Sequence, residues 1–184
     1  MRFVILPALL LLAAGCTGQK PLPGGAPPPP AQAMLLAPGD KLKIATFGEE
    51  SLAGEFAITP AGTIAFPLIG SVKAAGLDTG ALSLSIQNAL REGGYVIDPR
   101  VSVEVAAYRP VYILGEVNKP GEYPYTQGLT VRGAVAKANG FTYRANQKRV
   151  FLKRAGAAGE EMVSLTADLL VMPGDTIRFG ERYF

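Results

Sequence analysis

Apolar residues recur along this chain with two different periods, and the change of period separates strands from helices. Lys41-Leu42-Lys43-Ile44 alternates polar with apolar, as a strand with one buried face does. Glu55 to Thr59 is a second alternating run. Pro60-Ala61-Gly62 turns the chain into an apolar stretch from Thr63 to Val72, read as one strand in which Pro67 suits an edge or a bulge. The period then lengthens. Leu82, Ile86, Ala89 and Leu90 fall at i, i+4, i+7 and i+8, the face of a helix. Asp78 or Thr79 can cap its start, Arg91 suits its last turn, and Gly93-Gly94 stops it. After Asp98-Pro99, Val101, Val103 and Val105 alternate with Ser102, Glu104 and Ala106. Residues 34–109 therefore read as an α+β unit with one helix covering a small β-rich sheet.

The pattern restarts at Pro110. Val111 to Val117 is an apolar strand, Asn118-Lys119-Pro120-Gly121 a tight turn, and Glu122 to Tyr125 the return. Thr130 caps a short helix running to Asn139, with Val131, Ala134, Val135 and Ala138 on one face and Gly140 closing it. Arg149 to Arg154 and Met162 to Leu165 form a hairpin across Ala155-Gly156-Ala157-Ala158-Gly159. Pro173-Gly174-Asp175, followed by Thr176-Ile177-Arg178-Phe179, repeats Pro38-Gly39-Asp40 followed by Lys41-Leu42-Lys43-Ile44. Proline followed by glycine is what a type II turn requires. The recurrence is either an internal repeat or two β-rich units reusing one good turn.

The first 33 residues follow neither period. Met1-Arg2 and the apolar run from Phe3 to Ala14 have the anatomy of a signal peptide, too short to span a bilayer. The run closes on Leu12-Ala13-Ala14-Gly15-Cys16, which resembles the lipobox of bacterial lipoproteins. Cys16 is the one cysteine in the chain. Residues 1–15 are thus expected to be a cleaved leader and Cys16 the lipid-bearing terminus, a stable anchor because more than one acyl chain is attached. From Pro21 to Pro30 six of ten residues are proline. Residues 16–33 are expected to form an extended, proline-rich stalk, its seventeen residues after Cys16 reaching roughly 50 Å.

Composition then removes whole classes of function. There is no histidine, so the commonest general base and the commonest metal ligand are missing. A single cysteine allows no internal disulfide and no cysteine-based zinc site. The formal charge is only +3 and is dispersed, too little to argue for nucleic acid. Neither a metal nor a cofactor is expected. The adjacent pairs Glu49-Glu50 and Glu160-Glu161, both placed in loops, do not face each other across a cleft as a glycosidase's carboxylates must. The chain is read as a non-enzyme.

The order of motifs over residues 38–109 resembles the bacterial polysaccharide export domain. They are Pro38-Gly39-Asp40 before an amphipathic strand, then Gly62-Thr63-Ile64-Ala65-Phe66-Pro67-Leu68-Ile69-Gly70, Ala75-Gly76-Leu77, a helix and a valine-alternating strand. Gly115-Glu116-Val117, Pro120-Gly121, an aromatic strand and a small-residue helix ending in Asn139-Gly140 resemble the soluble-ligand-binding β-grasp module. Together they resemble the outer-membrane polysaccharide export lipoproteins. The resemblance implies an export domain at 34–109 and a β-grasp-like domain at 110–184.

It further implies a homo-oligomeric ring that forms a periplasmic conduit or gate for a capsular or extracellular polysaccharide. An inner-membrane polysaccharide copolymerase is the implied partner. Longer members carry a further repeat and a pore-lining helix. This chain is expected to be a short form without that helix, relying on a separate outer-membrane β-barrel and held at the periplasmic face, in the outer membrane, by its lipid. The alternative is a monomeric lipoprotein that binds a soluble glycan or small ligand through the β-grasp domain.

Lys148, Arg149, Lys153 and Arg154 are the candidate contacts for an anionic polysaccharide, against the commoner reading of a charge run as a solvated face. Tyr108, Tyr112, Tyr123, Tyr125 and Tyr143 are candidates for stacking on sugars or for packing. Gly62, Gly70, Gly115 and Gly121 are read as turn residues requiring positive φ.

Overall fold

The computed structural model describes residues 34–182, so the leader, Cys16 and the proline-rich stalk lie outside the described residues. The fold is α+β. Its first sheet takes the order β2-β1-β5, built from β1 (Lys41–Thr46), β2 (Glu49–Ala57) and β5 (Val101–Ala107), all antiparallel. Alternation in β1 buries Leu42, Ile44 and Thr46 and exposes Lys41, Lys43 and Ala45. Helix α1 (Thr79–Glu92) lies against this sheet and buries Leu82, Ile86 and Leu90. Asp78 is its N-cap, its Oδ1 accepting the Ala81 N–H at 2.7 Å. Leu36, Ile64, Phe66 and Val72 complete this first core.

The stretch read as one strand from Thr63 to Val72 is two strands, β3 (Thr63–Phe66) and β4 (Gly70–Lys73), paired in a hairpin. Pro67 has no N–H to continue the ladder. Leu68 adopts φ 66°, and the Ile69 N–H donates to the Pro67 carbonyl at 2.8 Å, closing a γ-turn. The run at Glu55 to Thr59 also differs: β2 starts earlier, at Glu49, and takes in Glu49-Glu50, which is not a loop pair.

The second sheet has the order β7-β6-β10-β8-β9. Its strands are β6 (Val111–Gly115), β7 (Gly121–Tyr123), β8 (Arg149–Lys153), β9 (Glu161–Ser164) and β10 (Thr176–Phe179). The last strand enters the middle of the sheet, parallel to β6 and antiparallel to β8, while α2 (Val131–Lys137) follows the first hairpin. This is the β-grasp arrangement. Val111, Ile113, Val150, Leu152, Ile177 and Phe179 pack with Val131, Ala134, Val135 and Ala138 of the helix in a second core. The helix is shorter than its pattern, because Thr130 and Ala138 are its caps and Asn139 and Gly140 both turn to positive φ.

Two details of the first hairpin depart from the sequence pattern. Strand β6 ends at Gly115, not Val117, because Gly115 takes φ 81° and a Cβ there would overlap the Phe179 carbonyl. Gly121 is not a left-handed turn residue; it pairs with Ile113 in β7, so the connection is longer than Asn118 to Gly121. Residues 34–182 belong to one compact unit. Met34 packs on the second core while Leu36 lies in the first. Tyr108 meets Tyr125 edge to face at 5.5 Å, and burial pushes the Tyr125 phenol up.

Candidate functional site

Alternation that turns one face of the second sheet towards α2 leaves the other face bare. Leu114 on β6, Arg178 on β10, Phe151 on β8 and Met162 on β9 stand in one row, since Arg178 pairs with Leu114 and Phe151, and Phe151 with Met162. The guanidinium of Arg178 lies over the Phe151 ring at 4.1 Å. Glu160 holds it there, accepting from Nε at 3.0 Å and from Nη2 at 2.5 Å. That hydrogen bond keeps the Glu160 carboxyl below its ordinary range and raises Arg178. A groove of about 500 Å³ crosses this face, bordered by Gly115, Arg149, Phe151, Met162 and Arg178. A cation laid on an aromatic ring beside apolar side chains makes a platform for a flat, part-polar group such as a sugar ring.

The four basic residues singled out from sequence do not form one patch. Arg149 borders the groove and has no ion-pair partner among the described residues. Lys153, four residues along the same strand, is near enough to Glu160 to lower its pKa. Lys148 is exposed, and its backbone N–H donates to Asn146 Oδ1 at 2.9 Å. Arg154 is committed elsewhere: its Nη1 donates to Asp175 Oδ2 at 2.6 Å and to the Leu170 carbonyl at 3.2 Å. Sequence reading missed Arg178 and Phe151. Their signal is the outward phase of RVFLKR and TIRF, visible only once the inward phase is known. Of the tyrosines, Tyr112 is exposed beside Thr176, Tyr143 is largely exposed, and Tyr125 is buried. Tyr123 is half-buried and donates through its hydroxyl to the Lys119 carbonyl at 2.6 Å.

A second cleft, of about 550 Å³, lies where the two sheets meet, between the two Pro-Gly-Asp turns. Pro38, Gly39, Arg109, Tyr112 and Gly174 are among its walls. Both turns place glycine at positive φ, 94° at Gly39 and 81° at Gly174. Arg109 passes so close to the second turn that a Cβ on Gly174 would meet its Nε at 2.8 Å. Arg109 itself is bound to Asp40, Nη1 to Oδ2 at 3.1 Å. Its cationic head is thus already paired, and the cleft serves the joint between the sheets.

Little else in the described residues is arranged for chemistry. They contain no group of three or more His, Cys, Asp or Glu placed to hold a metal. Glu49 and Glu50 are consecutive in a strand, where neighbouring side chains point to opposite faces. Glu160 is engaged by Arg178. No helix among the described residues is long and apolar enough to cross a membrane, which leaves open any crossing by strands.

Comparison with known proteins names the class these two sheets define. Residues 28–106 match the family of polysaccharide biosynthesis/export proteins, and residues 110–166 match the SLBB domain. The chain carries a polysaccharide export domain followed by an SLBB domain, the pair that its motifs resemble. The SLBB match ends at residue 166, yet the sheet takes its central strand, β10, from beyond that point.

Among its relatives is the exopolysaccharide production protein ExoF of Rhizobium meliloti (strain 1021), 35% identical over 62% of this chain and 28% of that protein. The EPS I polysaccharide export outer membrane protein EpsA of Ralstonia nicotianae (strain ATCC BAA-1114 / GMI1000) is 30% identical over 78% of this chain and 40% of its own length. The polysialic acid transport protein KpsD of Escherichia coli is 28% identical over 58% of this chain and 19% of its own. The matched stretch therefore spans less than half of each of these relatives.

Proposed function

We propose that this chain is a non-catalytic component of a machine that exports polysaccharide across the cell envelope. The observation that carries this reading is the export–SLBB pair matched over residues 28–106 and 110–166, together with the similarity to relatives named for exopolysaccharide production and polysaccharide export. In this reading the export domain occupies 34–109 and the β-grasp domain 110–184. Cys16 carries the lipid, residues 16–33 act as a stalk, and the folded part stands at the periplasmic face of the outer membrane. Copies assemble into a ring that serves as conduit or gate. An inner-membrane copolymerase delivers the polymer, and a separate outer-membrane barrel receives it. Arg149 and the Arg178–Phe151 platform are the contacts best placed to meet a passing sugar chain, with Lys148 and Lys153 beside them.

The test is deletion of the gene, with surface polysaccharide and polymer retained in the periplasm both measured. Loss of surface polymer with retention inside is the expected outcome. Unchanged export would overturn the proposal. The groove of about 500 Å³ favours one alternative, a monomer that captures a soluble glycan or small ligand there. Monomeric mass in mild detergent, together with saturable glycan binding lost in Arg149→Ala, would establish that alternative instead.

A further inference from the structure

The groove on the bare face of the second sheet is not the basic surface that Lys148, Arg149, Lys153 and Arg154 suggest in sequence order. Lys148, Lys153 and Arg154 are not among its walls, and folding brings carboxylates to it from distant segments. Glu116, just past β6, and Glu181, two residues past β10, line it together with Arg149 and Arg178. Arg178 is paired with Glu160, and Glu181 with Arg144 at 2.6 Å. Arg149 and Glu116 remain, and neither has an ion-pair partner among the described residues. One uncompensated cation and one uncompensated carboxylate in the same groove leave it without net charge.

Backbone hydrogen bonds hold the acidic wall in place. The Glu116 N–H donates to the Phe179 carbonyl at 3.0 Å, the Thr142 N–H to the Glu116 carbonyl at 3.2 Å, and the Asn146 N–H to the Gly180 carbonyl at 2.9 Å. The segments that carry Glu116, Asn146 and Glu181 are thereby laced together. Hydrogen-bonding capacity is left over on side chains of both kinds. The Thr142 hydroxyl donates to Glu116 Oε2, which leaves Oε1 as an acceptor. Asn146 Oδ1 accepts the N–H groups of Lys148 at 2.9 Å and Arg149 at 3.2 Å, so its Nδ2 is a donor with no partner among the described residues. Phe151 and Met162 add apolar surface to the same groove.

A hydroxyl donates and accepts at once, whereas a carboxylate only accepts. Neighbouring hydroxyls of one sugar ring can therefore accept from Arg149 and Asn146 and donate to Glu116, while the C–H face of the ring rests on Phe151 and Met162. A sugar that bears a carboxylate has no donor there for Glu116 and adds a like charge beside it. We propose, on the basis of the export reading above, that this groove takes an uncharged hexose unit of the exported polymer, and that Glu116 turns uronate units away.

The experiment is titration of the full chain in mild detergent, followed by NMR of labelled methionine methyl groups, with Met162 as the local reporter. The probes are neutral oligosaccharides of glucose, galactose and mannose, with oligogalacturonate as the charged counterpart. At least one neutral oligomer should shift the Met162 resonance, with affinity about tenfold or more above that of oligogalacturonate and little changed by salt. Arg149→Ala, an exposed position, should weaken the neutral oligomer about tenfold. Glu116→Gln can still accept the Thr142 hydroxyl but carries no charge; it should raise oligogalacturonate affinity about tenfold and leave the neutral oligomer little changed. Circular dichroism checks the fold of each variant. If Glu116→Gln fails to fold, Arg149→Ala and the wild-type preference still decide.

A wild type that prefers oligogalacturonate, or a Met162 resonance that no neutral oligomer moves, overturns the proposal and leaves the export reading intact. Neutral binding with no gain of oligogalacturonate in Glu116→Gln removes Glu116 from the discrimination and overturns that half. Unchanged export on deletion of the gene removes the export reading, while neutral-sugar binding at Met162 then stands by itself.

Discussion

Asp40 and Asp175 occupy equivalent places in the two halves of the described chain, each almost wholly withdrawn from solvent at the end of a Pro-Gly-Asp turn. Asp40 Oδ2 accepts the N–H of Ala37 at 2.9 Å, and Asp175 Oδ2 that of Met172 at 2.8 Å, in both cases three residues back. The other oxygen of each accepts a backbone N–H just beyond the neighbouring strand, from Arg109 at 2.8 Å and Ala155 at 3.2 Å. Each then holds a guanidinium, Arg109 or Arg154. The strands that follow differ in pairing, since β1 is antiparallel to both neighbours and β10 parallel to one. What recurs is the turn, its strand and the arginine clamp.

Removal of one such carboxylate strands two backbone donors and a cation. Asp40→Ala is expected to lower stability by about 3 kcal/mol, with Arg109 limiting the loss because part of its side chain can reach water. Urea unfolding followed by circular dichroism measures it. A loss below about 1 kcal/mol would show that the clamp is incidental.

Gly115 is required twice over, by its φ of 81° and by the Phe179 carbonyl against its α-carbon. Gly115→Ala should cost about 3 kcal/mol or more. Gly156→Ala, at the same φ with open space around it, should cost about 1 kcal/mol. Comparing their denaturation midpoints separates the steric part from the conformational part.

The Thr46 hydroxyl is buried with no hydrogen-bond partner among the described residues. Thr46→Val keeps the shape and removes an unsatisfied polar group, so it should stabilise the fold by about 1 kcal/mol. A thermal melt is sufficient. An unchanged or lower midpoint would mean that the hydroxyl finds a partner in solution.

The Glu160–Arg178 pair makes stability depend on pH in one direction. Glu160 has a folded pKa below its unfolded value of about 4.3. Its contribution is therefore present above that value and lost as pH falls through the depressed folded pKa. Glu160→Gln should be less stable than wild type at pH 7, with the difference shrinking through the acid range. Melting curves from pH 7 to pH 3 test this; a difference that persists at pH 3 would contradict it.

The lipidation proposed for Cys16 predicts that Cys16→Ser releases the protein from membranes. Fractionation of cells expressing each form is the measurement. A Ser variant retained with the membrane would remove the anchor from the proposal.

Periodicity and local turn chemistry made much of the fold legible before any coordinates. Leu82, Ile86 and Leu90 repeat at helical spacing and are buried, and Asp78 caps them as its side chain permits. The valines of β5, the hairpin of β8 and β9, and the small-residue face of α2 follow the same local rules. Pro67 was visible too, but not its effect. Proline in an apolar run is compatible with a bulge or a turn, and the pairing of Phe66 with Gly70 decides for the turn.

The candidate site was legible only as letters. Arg149 could be picked out as a cation, but nothing in sequence order says that Arg178 would lie on Phe151, or that Arg154 would be spent on Asp175. Those pairings depend on the register between strands remote in the chain, and a shift of one residue would turn every side chain to the other face. The sequence by itself determined which segments become strands and helices and where the Pro-Gly-Asp turns fall, because these depend on neighbours within a few residues. Tertiary structure alone decided which face is bare, which charges remain unpaired and how the two cores join at Arg109, because each depends on groups that meet only after the chain has folded.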